Sequence, residues 1–278
     1  MQVVGLCRFS YPANINAFQT RHKDMAERTA TLYAPDRLEA RTFLFANILL
    51  PGLRAQTDPD FTLLLLMGED FPEPWRSRIL GAITYVPQIK PVFRPPGLNH
   101  RDLYRELFLA ERDTTAGLVA EFRIDDDDAL SVDFVERLRM AEPVLAALVE
   151  EHDRAAIDFQ KGLVMTLGQG QIGYRPVVVP GWAPALAMVQ RPRSEKCVMD
   201  VMHHKMWLQM PSVTFKDSPM FLRGSHDTND SQIRLGNVGD FSLPPDAIPA
   251  LLRERFAVDR LDSARKWAEL TTGEAPRR

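Results

Sequence analysis

Four consecutive aspartates, Asp125-Asp126-Asp127-Asp128, are the residues of this chain whose type and spacing best suit chemistry. Neighbouring carboxylates repel one another. At an effective dielectric of about 20, one close like-charged pair costs roughly 4 kcal/mol before screening. A fold keeps such a run where water solvates it, or where a cation or basic groups offset the repulsion. Hard divalent cations take oxygen ligands and often bridge a few carboxylates to substrate phosphates. The run lacks the glycine that an EF-hand loop needs at its sixth position.

Further polar residues could complete a site. Arg223-Gly224-Ser225-His226-Asp227-Thr228-Asn229-Asp230-Ser231 is a polar, loop-like stretch. Asn229 and Ser231 suit phosphate or sugar hydroxyls, and equally suit local turn hydrogen bonds. Arg8 is a residue of the first strand, at the edge where a nucleotide would lie, and could meet a diphosphate or a base; a surface ion pair is the competing reading. Arg123, one residue before the aspartates, balances their charge, with substrate contact as the competing reading. His203 and His204 are adjacent on a predicted helix, so their rings point apart and cannot share a metal. Trp182 and Trp207 could stack on a sugar, or belong to the core and its rim.

The elements that must position these residues alternate through the first half. Residues 2–9, 61–67, 89–93 and 118–124 read as strands, and 61–67 has the apolar continuity of a strand buried on both faces. Between them, Asp36 would cap a helix with Leu38, Phe45, Ile48 and Leu49 on its buried face, which Pro51-Gly52 stops or follows close after its end. Residues 73–82 form a short helix. Asn99 caps another, with Asp102 in its first turn and Leu103, Leu107 and Ala110 as its apolar stripe. Ser131 would cap a helix through Phe134, Leu138, Ala141, Leu145 and Leu148 that Pro143 kinks or splits. This alternation implies an α/β fold with a mostly parallel sheet flanked by helices. The aspartates then follow the fourth strand at the edge where open α/β sheets bind ligands. In the second half, 155–159, 164–167, 174–179 and 187–190 are short strands expected as antiparallel hairpins added to that sheet. Residues 198–210, 247–256 and 262–270 read as helices, and the tail from 272 as frayed.

Bulk properties narrow the function. A net charge of −3 over 278 residues gives no reason to expect a nucleic-acid partner. Two cysteines, Cys7 and Cys197, make no disulfide framework and fit a reducing cytoplasm. No stretch reads as a transmembrane segment or a signal peptide. The Walker phosphate loop and the dinucleotide glycine fingerprint are absent. Aspartate-nucleophile phosphatases carry their paired aspartates after the first strand, whereas here they follow the fourth.

Phe122-Arg123-Ile124-Asp125-Asp126-Asp127-Asp128 resembles the DxD segment of glycosyltransferases with the GT-A fold. Together with Arg8-Phe9 and the stretch Leu49-Leu50-Pro51-Gly52-Leu53-Arg54-Ala55-Gln56-Thr57-Asp58-Pro59-Asp60-Phe61, it is similar to a bacterial group of rhamnosyltransferase-like glycosyltransferases, over most of the chain. The resemblance implies one GT-A-like domain over 1–278, with a nucleotide-binding half at 1–130 and an acceptor-binding half with C-terminal helices at 131–270. It implies sugar transfer, rhamnose being the sugar of the group's name, from a nucleotide-sugar donor to a glycan or lipid-linked acceptor with Mg²⁺ or Mn²⁺ as cofactor. A lipid-linked acceptor would bring a cytoplasmic protein to the inner membrane as a peripheral enzyme. Asp125 would lie near the ribose or base and the metal, and Asp127 would be the main metal ligand. Asp126 and Asp128 would assist, and His226 would complete the metal shell. Asp200, at the expected start of a helix, is the first candidate for the base that an inverting transferase needs, with simple capping as the competing role. Asp227 is the reserve. Another metal-dependent phosphoryl-transfer or hydrolase enzyme and a non-catalytic carbohydrate-binding protein are the alternative functions.

Overall fold

The computed structural model describes residues 1–15, 23–227, 229 and 238–272. Its strands are β1 (Gln2–Arg8), β2 (Thr62–Gly68), β3 (Ile89–Arg94), β4 (Val119–Asp125), β5 (Ala129–Leu130), β6 (Arg154–Phe159), β7 (Lys161–Gly168), β8 (Gln171–Val178), β9 (Leu186–Gln190), β10 (Ser212–Phe215) and β11 (Phe221–Ser225). Its α-helices are α1 (Met25–Leu32), α2 (Pro35–Leu44), α3 (Leu50–Arg54), α4 (Trp75–Ile83), α5 (His100–Glu111), α6 (Phe134–Met140), α7 (Glu142–His152), α8 (Ile248–Phe256) and α9 (Arg260–Thr272).

The main sheet runs β3-β2-β1-β4-β9-β6-β10, and β9 alone opposes the other strands. This is the mostly parallel, helix-flanked α/β sheet expected from the sequence. From β1 the chain steps outward to β2 and β3, then returns to β4 on the other side of β1. The strand order therefore reverses between β1 and β4. Such a reversal opens a crevice beyond the carboxyl ends of the strands. Register places Arg8 opposite Asp125 at that point.

Both sheet faces are covered. Leu63, Leu65 and Met67 of β2 pack into one apolar cluster, and Leu64 and Leu66 into another on the opposite face. β1 behaves likewise, with Val3 and Cys7 on one side and Val4 and Leu6 on the other. A third cluster joins α8 and α9 to a smaller sheet, ordered β5-β11-β7-β8. The β7–β8 hairpin expected as an extension of the main sheet belongs to this second sheet. β7 pairs there with β11, which runs parallel to it.

Three helix boundaries and one helix face differ from expectation. Asp36 does not cap its helix: Ala34 holds the cap position and Pro35 opens the first turn, where its fixed φ and missing N–H cost nothing. Nor does Pro51 end that helix. A π-helical turn at Phe45–Leu49 links α2 to α3, and the Leu50 amide bonds back to the Phe45 carbonyl. The wider turn carries the chain past a proline that strict i→i−4 bonding would not tolerate. Ser131 precedes Asp133, the residue that actually stands at the cap of α6, and the chain breaks at Ala141 so that Pro143 lies in the first turn of α7. The stripe of α5 is Leu103, Tyr104, Leu107 and Phe108, with Ala110 exposed, although Asn99 caps it as expected.

The 198–210 segment is not one helix. It forms two 3₁₀ turns, Val198–Asp200 and His203–Leu208, separated by Val201 and Met202 in extended conformation. Val198, Val201, Met206 and Met210 all bury their side chains, and their uneven spacing fits no single helical face.

A buried ion pair ties this segment to the sheet. Glu121 on β4 accepts from Arg112 Nε at 2.7 Å, from the Val198 amide at 2.9 Å and from Gln190 Nε2 at 3.2 Å. Arg112 also reaches the carbonyls of Pro192, Ser194 and Lys196. Breaking such a pair from one side strands the other charge and costs about 3–5 kcal/mol. Arg112→Met should lower unfolding stability in urea by that amount; an unchanged midpoint would contradict the role given to the pair.

Candidate active site

The aspartates leave β4 in a tight turn, with the Asp128 amide donating to the Asp125 carbonyl at 3.2 Å. Asp125 is exposed, whereas Asp126, Asp127 and Asp128 are buried. Carboxylate oxygens of Asp125, Asp127 and Asp128 all lie within 4.8 Å of one another.

Four donors hold the turn. Arg41 Nη1, from α2, bridges Asp126 Oδ1 at 2.6 Å and Asp127 Oδ2 at 3.0 Å. His226 Nε2 meets Asp127 Oδ2 at 2.8 Å, and Asn229 Nδ2 donates to the same oxygen at 2.7 Å. The Gly224 amide donates to Asp128 Oδ1 at 2.9 Å. Burial alone would raise the Asp127 pKa, but the Arg41 charge and the His226 hydrogen bond outweigh it and hold this carboxyl well below the usual range. Asp126 is pushed up to about 6, chiefly by burial and against the pull of Arg41. Asp128 lies well above its ordinary value, through burial and then the charges of Asp127 and Asp125. The turn thus holds one firmly ionised carboxylate between two that release a proton reluctantly.

Backbone packing sets this geometry. A Cβ on Gly224 would stand 2.6 Å from the Asp127 carbonyl oxygen, so β11 approaches the turn only because it carries glycine there. A Cβ on Gly52 would likewise stand 2.6 Å from the Leu130 carbonyl oxygen. Gln56 Nε2 donates to the Gly52 and Ser131 carbonyls, its Oε1 accepts from the Val135 amide, and the Thr57 amide donates to the Val132 carbonyl. The Pro-Gly-Leu-Arg-Ala-Gln-Thr stretch therefore clamps the chain that emerges from the aspartates.

Around the turn lies a polar pocket of about 120 Å³, lined by Arg8, Ser10, Arg37, Arg41, Arg123, the four aspartates, Arg223, Gly224 and Asn229. Five guanidinium groups thus face four carboxylates. Arg37 donates to Ser10 Oγ at 2.7 Å, and Arg223 stacks over Trp182 with 4.5 Å to the ring centroid. The oxygen donors suit a hard divalent cation. Asp126 Oδ2 adds a buried oxygen with no hydrogen-bond partner among the described residues. The residues present therefore fit such an ion, with Asp125, Asp127 and Asp128 as the group able to hold it.

Of the residues singled out from the sequence, Arg8, Asp125, Asp126, Asp127 and Asn229 line this pocket, and His226 stands against Asp127. Asp200 does not line it. Its carboxylate is bound by Arg105 and accepts from the Cys197 amide at 2.9 Å. Asp227 is exposed and lies outside the lining, and Ser231 lies outside the described residues. Arg41, Arg223 and Gly224 carry the site as well. Arg41 gives no local signal, because only folding brings α2 to the end of β4. Gly224, beside His226 in a polar stretch, was the visible clue.

A mostly parallel sheet carries an acidic turn at its switch point, the placement that the DxD resemblance implies. Residues 2–237 match the family described as "Putative rhamnosyl transferase", and the chain belongs to that family. No curated protein matches it. Among solved structures it is similar to S. aureus TarS 1–349, at 13% identity over 81% of this chain and 60% of that one, with a TM-score of 0.41. The same protein in complex with UDP-GlcNAc aligns at 10% identity over 99% of this chain and 74% of that one, with a TM-score of 0.42. The chain thus spans less than two thirds of the first of these.

Gly224→Ala should push β11 off the Asp127 backbone. Overpacking of this kind costs about 1–3 kcal/mol. A urea midpoint equal to that of the unaltered protein would show that the approach is looser than described.

Proposed function

We propose that this protein transfers a sugar, rhamnose by its family, from a nucleoside-diphosphate sugar to a saccharide or lipid-linked glycan. The observation that carries the reading is the pairing, in one pocket at the β1/β4 switch point, of an oxygen cluster suited to a divalent cation with arginines suited to phosphate. Arg123 and Arg223 line that pocket, and among the described residues neither has a carboxylate within ion-pair distance. Half-buried guanidinium groups without an anion are costly, and a diphosphate supplies the oxygens that their planar forks bind best.

The roles follow from placement. Asp125, Asp127 and Asp128 would hold Mg²⁺ or Mn²⁺, with His226 beside Asp127 favouring manganese. A bound cation would stabilise negative charge on the departing diphosphate. Arg41 keeps Asp126 and Asp127 in place and counters their repulsion. Arg8, Arg123 and Arg223 would take phosphate oxygens directly, and Asn229 would orient Asp127. The nucleotide side is assigned to 1–130 and the acceptor side to 131–270. No helix of the described residues is long and apolar enough to cross a membrane. On this reading a lipid-linked acceptor would be met by a peripheral enzyme at the inner-membrane surface.

Thermal unfolding with UDP, dTDP and GDP, with and without Mn²⁺, tests the reading. At about 100 times its Kd, the matching diphosphate should add roughly 2.7 kcal/mol, and only with the cation. Asp125→Asn, at an exposed position, should abolish the cation-dependent shift while leaving the ligand-free midpoint unchanged. Arg223→Ala should weaken diphosphate binding about 10- to 100-fold, the worth of a charge-assisted hydrogen bond. Absence of stabilisation by every diphosphate, with cation present, would refute sugar-nucleotide binding at this pocket.

A further inference from the structure

We propose that Met202 and the 3₁₀ turn His203–Leu208 form a docking surface for an anionic phospholipid bilayer. The inference goes beyond the sugar-transfer reading, and only its consequence for the acceptor rests on that reading.

The turn belongs to a single excursion from the main sheet. The chain leaves β9 at Gln190, opposite Arg154 of β6, and rejoins the sheet at Ser212 of β10, opposite Ala156 of the same strand. Between these points Cys197, Val198, Val201, Met206 and Met210 bury their side chains in the apolar cluster on one sheet face. Residues 191–211 therefore form one flap over that face.

A 3₁₀ helix has three residues per turn, so side chains at i and i+3 point the same way. His203 and Met206 form the inner ridge: His203 Nδ1 lies 2.6 Å from the Gly181 carbonyl oxygen, and Met206 is buried. The other two ridges, His204 with Trp207 and Lys205 with Leu208, then face outward. Trp207 is 66% exposed, Leu208 60%, and Met202, just before the turn, 51%. The contacts of the inner ridge hold this apolar surface out to water, an arrangement that typically marks a docking surface.

Charge selects the occupant. In a chain of net charge −3, Arg191, Arg193, Lys196 and Lys205 are all exposed on the flap. Among the described residues of the flap, Glu195 is the one exposed acid, and Asp200 is held by Arg105. From Val201 to Lys216 the sequence has no acidic residue. A second copy of the chain fits poorly, because a two-fold contact would set the same cations face to face. A bilayer with anionic headgroups fits both properties. The headgroups attract lysine and arginine, and a tryptophan settles at the boundary with its ring in apolar surroundings and its N–H towards water.

The location suits an acceptor carried on a lipid. Gly181, in contact with His203, precedes Trp182, whose ring centroid is 4.5 Å from the guanidinium of Arg223 in the polar pocket. On the sugar-transfer reading, docking through this flap brings the pocket to the headgroup layer, where a lipid-borne glycan is reached without entering the hydrocarbon.

Co-sedimentation of the full chain with vesicles tests the surface. One set is phosphatidylcholine alone, and the other is equal parts phosphatidylcholine and phosphatidylglycerol. The protein should pellet with the mixed vesicles, its tryptophan emission should shift to the blue, and added salt should release it. Trp207→Ser should weaken that binding roughly 10- to 100-fold and remove the blue shift. Lys205→Ala should weaken it about five-fold, the worth of one cation at an anionic surface. Trp207→Ser should keep the thermal midpoint and the Mn²⁺-dependent stabilisation by diphosphate, because its side chain stands outside the pocket. The proposal is overturned if neither vesicle binds, if phosphatidylcholine alone binds as well as the mixture, or if Trp207→Ser binds like the unaltered protein. A dimer that Trp207→Ser separates in sedimentation equilibrium would also overturn it, since a second copy would then cover the face. Vesicle binding by a protein that no nucleoside diphosphate stabilises would instead sink the sugar-transfer reading and leave the docking surface in place.

Discussion

Three of four successive carboxylates are buried at the end of β4, and their mutual repulsion is the constraint around which the neighbouring structure is arranged. A close pair of such charges costs several kcal/mol even at an intermediate dielectric. Arg41 answers it from α2 by touching Asp126 and Asp127 together. Asp127 collects Arg41, His226 and Asn229 on one oxygen, while Asp128 is served by a main-chain amide. The arrangement uses fixed donors from two separate parts of the chain, α2 and the stretch from Gly224 to Asn229, so the turn exists in this form only when both are docked.

That dependence explains features remote from the aspartates. The π-helical turn and the Pro51-Gly52 step carry one continuous helical path from Arg41 to the clamp at Gln56. Phe45 and Leu49 of this path pack with the main sheet, and Phe43, Leu44 and Ile48 with the smaller one, which seats Arg41 between the two layers. Gly224 lets β11 press on the turn from the other side. The cationic wall of Arg8, Arg123 and Arg223 then faces a preformed acidic surface, and pre-organisation of this kind lowers the cost of ordering a charged ligand.

Much of this was legible in the residues themselves. The unbroken apolar run at 61–67 announced a strand covered on both faces, and the position of the aspartates after the fourth strand announced a sheet-edge site. Asn99 carried a local capping signal that the backbone obeys. The errors arose where tertiary contacts overrule local pattern. Pro51 reads as a stop because its missing N–H ends an ordinary helix, and nothing local declares the π turn that accommodates it. Residues 198–210 contain good helix formers, yet burial of Val198, Val201, Met206 and Met210 and the close fit of His203 on Gly181 impose two separate turns. The partnership of Arg41 with residues more than eighty positions away has no local signature at all.

The central claim is that the acidic turn and the arginine wall together receive a cation and a diphosphate. Crystals grown with Mn²⁺ and the nucleoside diphosphate that best stabilises the protein allow this to be seen by anomalous diffraction at the manganese edge. The account predicts a manganese peak in contact with carboxylate oxygens of Asp125, Asp127 and Asp128, and phosphates on the side of Arg123 and Arg223. A well-ordered diphosphate bound away from this pocket, or manganese bound elsewhere while the aspartates keep only Arg41, His226 and Asn229, would contradict it.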